Sequence, residues 1–87
     1  MMPLIAEFLG TFALVYVFLY SGNWLFIGLT LAFVGWTVGS ISGANINPVV
    51  SFTQWVRGTH STNNLLMYIL VQILGGVAAL YVYRALA

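Results

Sequence analysis

Cysteine is absent from the chain, so neither a disulfide nor a thiolate metal site can form, and the redox compartment leaves no mark. Charge is almost absent too. Only 3% of the 87 residues are charged, namely Glu7, Arg57 and Arg84, where a soluble domain carries about a quarter. One histidine, His60, and one carboxylate cannot build a metal cage, and no metal or cofactor is expected. A dispersed net charge of +1 excludes a nucleic-acid footprint. No nucleophile is paired with a base, and His60 is expected to stand solvated in a surface loop, so an enzyme is not expected.

What is present is apolar. At 62% hydrophobic, the chain has one sensible solvent, the lipid bilayer. Three apolar runs, over about residues 3–20, 24–41 and 64–85, approach the roughly 20 residues that cross a hydrocarbon core. The first lacks a basic leader and carries Glu7, so it is read as a span rather than a cleaved signal. Pro3 suits a first helical turn. Ser21-Gly22-Asn23 is a turn signal, and Tyr20 and Trp24 beside it fit an interfacial aromatic belt. The expectation is an integral, multi-pass, all-α membrane protein forming one domain, in a membrane the sequence does not specify.

Gly28, Ala32, Gly35 and Gly39 are spaced four, three and four apart on one helical face of the second run. Gly75, Gly76, Ala78 and Ala79 cluster in the third. Small residues so placed let another helix approach closely. Packing alone accounts for most of them.

Between the second and third runs lies Ser42-Gly43-Ala44-Asn45-Ile46-Asn47-Pro48-Val49-Val50-Ser51. A polar, helix-breaking stretch at membrane depth is costly in lipid and is tolerated where it lines a water-filled path or is buried in protein. A helix over 48–57 would be about 15 Å long, roughly half the core. That describes a re-entrant half-helix which enters the bilayer, turns at Asn47-Pro48 and returns. Arg57 complements its C-terminal dipole, and Gly58 is a plausible cap.

Asn47 is placed to be the N-cap, its side-chain oxygen accepting from about Val50 N–H and its amide left to donate to a passing solute. Gly43 to Ile46 are expected to run extended before the proline, exposing carbonyl acceptors. The helix N-terminus adds about half a positive charge, which repels cations and protons. Such a lining suits an uncharged solute. The alternative is an ordinary Asn-Pro turn in a solvated loop.

These residues carry a family likeness. Ser42-Gly43-Ala44-Asn45-Ile46-Asn47-Pro48-Val49-Val50 resembles the Ser-Gly-Ala-His-x-Asn-Pro-Ala-Val signature of the aquaporin (major intrinsic protein) family. Ala6-Glu7-Phe8-Leu9-Gly10-Thr11-Phe12 resembles its first-helix motif and Tyr68-Ile69-Leu70-Val71-Gln72-Ile73-Leu74-Gly75 its third-helix motif. Gly28 and Gly39 fall on family glycines without a gap. The motifs follow in order over nearly the whole chain.

The resemblance implies one half of the family's inverted-repeat fold: three transmembrane helices and one re-entrant half-helix. It implies a pore lined by Gly43, Ala44, Asn45, Ile46, Asn47, Pro48 and Val49, with Asn47 as donor and Ala44 to Ile46 supplying carbonyls. Glu7 and Gln72 become buried polar groups, with Glu7 bracing the turn. A solvated Glu7 near the interface is the alternative. Family members hold two such repeats, and one copy cannot close a pore. Asn45 stands where the signature has histidine, Val49 where it has alanine, and Val50 where the second repeat has arginine. Ser51-Phe52 resembles the second repeat and Val50 the first, a blend expected if one sequence plays both parts.

Three spans and a re-entrant loop place the termini, and with them Arg57 and Arg84, on opposite sides, so the positive-inside bias is close to nil. Two antiparallel copies would rebuild the inverted repeat. The expected assembly is an antiparallel homodimer in the bilayer, with four pores together by family analogy. Ile27 of one chain and Gly35, Ala44 and Val50 of the other would line each mouth. The expected solutes are water and small neutral molecules. Two alternatives stand: a non-conducting fragment or subunit needing a different complementary half, and a small proton-coupled transporter using Glu7.

Overall fold

The computed structural model describes all 87 residues. Four helices follow one another: α1 Met2–Ser21, α2 Trp24–Ser42, α3 Pro48–Arg57 and α4 Thr62–Leu86. Their ends are set by local chemistry. Pro3 sits in the first turn of α1, where its missing N–H is harmless. Asn23 caps α2, its Oδ1 accepting from Leu25 N at 2.9 Å and Phe26 N at 3.3 Å. Ser61 caps α4 through Asn64 N at 3.1 Å, which starts that helix two residues earlier than the apolar run suggests. Gly58 ends α3 with φ 93°, a left-handed conformation that glycine adopts freely.

Three of the helices, α1, α2 and α4, are long and apolar enough to cross a membrane. At ten residues, α3 is about 15 Å long and cannot cross a core of about 30 Å.

α1 packs against both α2 and α4, and α3 packs against α4. The buried stripe of α1 is Ala6, Glu7, Gly10 and Thr11, and that of α4 is Leu65, Tyr68, Gln72, Gly75 and Ala79. Both recur every three to four residues, as one helical face requires. Close approach is built in: a Cβ on Gly75 would stand 2.6 Å from the Phe8 carbonyl oxygen, and one on Gly10 would stand 2.6 Å from Ile46 Cδ1. The Ile46 side chain thus seats itself on Gly10 and ties the α2–α3 loop to α1.

Only 14 of 87 residues are buried, so the large apolar side chains point outward over most of the surface, as suits a lipid solvent. α2 packs on α1 alone and α3 on α4 alone, so each has an unpartnered side. Gly28, Gly35 and Gly39 face open space, with no atom within 4 Å of where a Cβ would be.

The extended run expected over residues 43–46 does not form. Gly43 has φ 82°, Ala44 φ 47° and Ile46 φ 56°. Left-handed backbone is unusual for alanine and is an outlier for a β-branched residue, at about 1–3 kcal/mol each. The Glu7 carboxylate holds it there.

Candidate functional site: a polar loop at the head of a half-length helix

The Glu7 side chain is wholly enclosed, which removes the solvated alternative. Oε2 accepts from Ser42 Oγ at 2.7 Å and Asn45 N at 2.9 Å. Oε1 accepts from Ile46 N and Gln72 Nε2, both at 2.9 Å. Every partner is a donor, and a carboxylate in such a cradle makes charge-assisted hydrogen bonds on both oxygens. Two successive backbone N–H groups converging on one anion form a nest, the geometry that alternating helical hands allow. This accounts for the left-handed Ala44 and Ile46: an extended strand would direct neighbouring N–H groups to opposite sides.

Turning the N–H groups inward leaves the carbonyls. Gly43 N bonds Gly39 O at 2.8 Å and Ala44 N bonds Ser42 Oγ at 3.1 Å. With Asn45 and Ile46 on Glu7, every loop donor from 43 to 46 is engaged within the chain. The four carbonyls of Gly43, Ala44, Asn45 and Ile46 accept nothing from it. Gly43 is exposed and Ala44 half-buried, while the Asn45 and Ile46 side chains are buried.

The loop ends at Asn47, which is exposed and in extended conformation, φ −157°. Its Oδ1 caps α3 by accepting from Val49 N at 2.8 Å, one residue earlier than expected. Its amide nitrogen donates to nothing in the chain. Pro48, Val49 and Val50 follow, all exposed, in the first turn. The N-terminal half-charge of α3 is thus presented openly.

Ser51 joins the two sides. Its Oγ accepts from Gln72 Nε2 and Asn45 Nδ2, both at 2.9 Å. Tyr68 adds a bond from its hydroxyl to the Ser42 carbonyl at 2.9 Å. His60 is not the solvated side chain expected. It is half-buried, with Nε2 3.0 Å from Asn45 Nδ2. Ser51 and His60 are the members of the site that sequence reasoning misses. One signal was available for His60: the sole histidine lies just beyond a half-helix whose head has asparagine where the family signature has histidine.

The remaining sequence-predicted residues are spread out. Gly35 faces open space at mid-α2. Ile27 is in the first turn of α2, about 22 Å along the axis from Ser42 at about 1.5 Å per residue. One chain does not bring Ile27 to Ala44 and Val50.

Fold and site together define a multi-pass helical membrane protein in which a short helix begins at an exposed polar turn braced by a buried carboxylate. Residues 1–87 match the family model for Major intrinsic protein, and the chain belongs to that family. It is 34% identical to Aquaporin Z of Photorhabdus laumondii subsp. laumondii, an alignment covering 97% of this chain and 43% of that protein. The chain thus spans less than half the length of this relative.

Proposed function

We propose that the chain forms a passive membrane channel for water and small neutral solutes, its pore completed by a second copy inserted upside down. One observation carries this reading. The loop sends its donors inward to Glu7 and keeps a run of free carbonyls that ends at the free Asn47 amide, at the positive end of a half-length helix. Acceptors in a line, one donor and a cation-repelling field suit an uncharged, hydrogen-bonding solute. In this reading α3 is re-entrant, its head meeting that of the partner near the midplane. The unpartnered sides of α2 and α3, with Gly28, Gly35 and Gly39 open, are where a second copy fits. Both arginines lie at helix C-terminal ends, Arg57 on α3 and Arg84 on α4. In the re-entrant topology these ends emerge on opposite faces, which leaves insertion undirected by charge.

A proton-coupled transporter using Glu7 fits less well, because that carboxylate is enclosed and all four of its hydrogen bonds come from donors. A subunit that pairs with a different half is the other reading. It is separated by using the purified chain alone.

Liposomes holding only this chain are expected to shrink faster than empty ones in stopped-flow osmotic assays, with no dependence on a proton gradient. Asn47→Ser keeps a capping oxygen but removes the amide donor, and is expected to cut water flux at least about tenfold with little change in folded yield. No flux above the lipid background would contradict self-sufficiency; flux tracking a proton gradient would favour the transporter.

Lined by Ile27, Gly35, Ala44 and Val50, the mouth carries no cation, and selectivity is expected to be poor. Val50→Arg is expected to raise the water-to-glycerol permeability ratio roughly tenfold by narrowing and charging the mouth. Strict water selectivity in the unmodified chain would contradict this.

A further inference from the structure

Asn45 Nδ2 has two hydrogens and no acceptor capacity. One hydrogen goes to Ser51 Oγ at 2.9 Å and the other faces His60 Nε2 at 3.0 Å. Nε2 is therefore the acceptor, and the neutral ring carries its proton on Nδ1. Nδ1 is buried and has no partner in the chain. The ring otherwise rests edge-on against Tyr68, with centroids 4.6 Å apart. A single polar contact holds this side chain, and that contact requires an unprotonated Nε2.

What it touches is the fixed end of the loop. Asn45 donates its backbone N–H to Glu7 Oε2 at 2.9 Å and lies two residues before Asn47. A proton on Nε2 sets two N–H donors against each other across the same gap. Either the ring leaves or the Asn45 amide turns over, and each loosens a loop whose Ala44 and Ile46 hold a conformation they would not adopt alone.

We propose that His60 is a positioning residue for the 43–47 loop, acting through Asn45, and that its protonation lowers flux along that loop. This rests on the channel reading above. Histidine is the side chain whose charge ordinarily changes between pH 5 and 8, so acidification is the trigger. The other ionisable groups around it are few. Glu7 on α1 lies behind Asn45 and Ile46, while Tyr68 on α4 engages the Ser42 carbonyl. Arg57, at the end of α3, bonds Gln54 Oε1 at 3.3 Å. Met1, which bears the terminal amine, lines a groove with Asn63, Asn64 and Tyr68. α2 has no ionisable side chain.

The test compares three chains in liposomes between about pH 8 and about pH 5. In the unmodified chain, water flux is expected to fall roughly fivefold on acidification, the order set by losing one hydrogen bond. His60→Gln offers Asn45 a non-titrating acceptor and is expected to hold high flux at every pH. His60→Ala leaves the amide hydrogen unpaired and is expected to be low throughout. A merely structural role would leave the pH slope intact in His60→Gln, and that result overturns the proposal. Nitrogen NMR of labelled histidine decides independently of flux. The proposal requires the Nδ1–H tautomer at about pH 8, with Asn45 and Asn47 amide resonances moving as His60 titrates and standing still in His60→Gln. A protonated Nε2 at high pH, or an unmoved loop, overturns it. Absent flux at all pH values with a moving loop would instead strike the channel reading and leave the His60 coupling standing.

Discussion

Glu7→Ala is expected to abolish the native fold in detergent, with no monodisperse peak on size exclusion and no cooperative thermal unfolding. The substitution removes one bond each from Ser42 Oγ, Asn45 N, Ile46 N and Gln72 Nε2; Ser42 keeps the Val38 carbonyl and Gln72 keeps Ser51 Oγ, but the two backbone amides are left with none. Each buried donor left without a partner costs about 1–3 kcal/mol. Two such losses reach the lower end of the whole stability of a small domain, about 5–15 kcal/mol. Glu7→Gln is the informative companion. Its shape is right, but whichever way the amide turns, its NH2 meets two donors, either Ser42 and Asn45 or Ile46 and Gln72. It is expected to fold with reduced stability and to lose most of its flux, since the loop cannot keep both N–H groups inward. A Glu7→Gln chain with unchanged melting and flux would show that the carboxylate is not the brace.

The second large effect concerns helix approach. Gly75→Ala introduces a Cβ 2.6 Å from the Phe8 carbonyl oxygen and 3.3 Å from Phe12 N. These are backbone atoms, so no rotamer change relieves the clash, and α1 and α4 must part. The expected loss is about 1–3 kcal/mol, read as a fall in the midpoint of denaturant-driven unfolding. Gly35→Leu is the control. Nothing lies within 4 Å of its Cβ position, so the single chain is expected to melt unchanged. If a second copy covers that side of α2, the same substitution lowers the yield of cross-linked dimer. Equal melting losses at both positions would contradict the assignment of an internal and an external glycine face.

The three long helices and the short one follow from run length and from punctuation by Pro3, Asn23, Pro48 and Gly58, because membrane length and capping are local rules. The left-handed Ala44 and Ile46 were not legible. No local preference calls for them; they are imposed by a carboxylate 38 and 39 residues away from the two amides it holds. The extended reading failed because it used only the proline and the chain around it. His60 was missed for a similar reason. The sole histidine, in a polar Gly-Thr-His-Ser-Thr turn, looks solvated, and only the packing of α3 on α4 brings it to Asn45, 15 residues back. Ser51 gave no signal either, since a serine in a helix is ordinary until Gln72 and Asn45 converge on it.

Every partner of Glu7 lies later in the chain: Ser42, Asn45, Ile46 and finally Gln72, 65 residues on. A ribosome releasing this protein therefore delivers a bare carboxylate to the lipid and withholds its last companion until α4 emerges. The first helix must wait, sheltered by the insertion machinery or resting shallow at the interface, because an ionised side chain alone in a bilayer costs a few kcal/mol. Biogenesis of such a chain is gated from its C-terminal side, and shortening α4 is a lesion of α1.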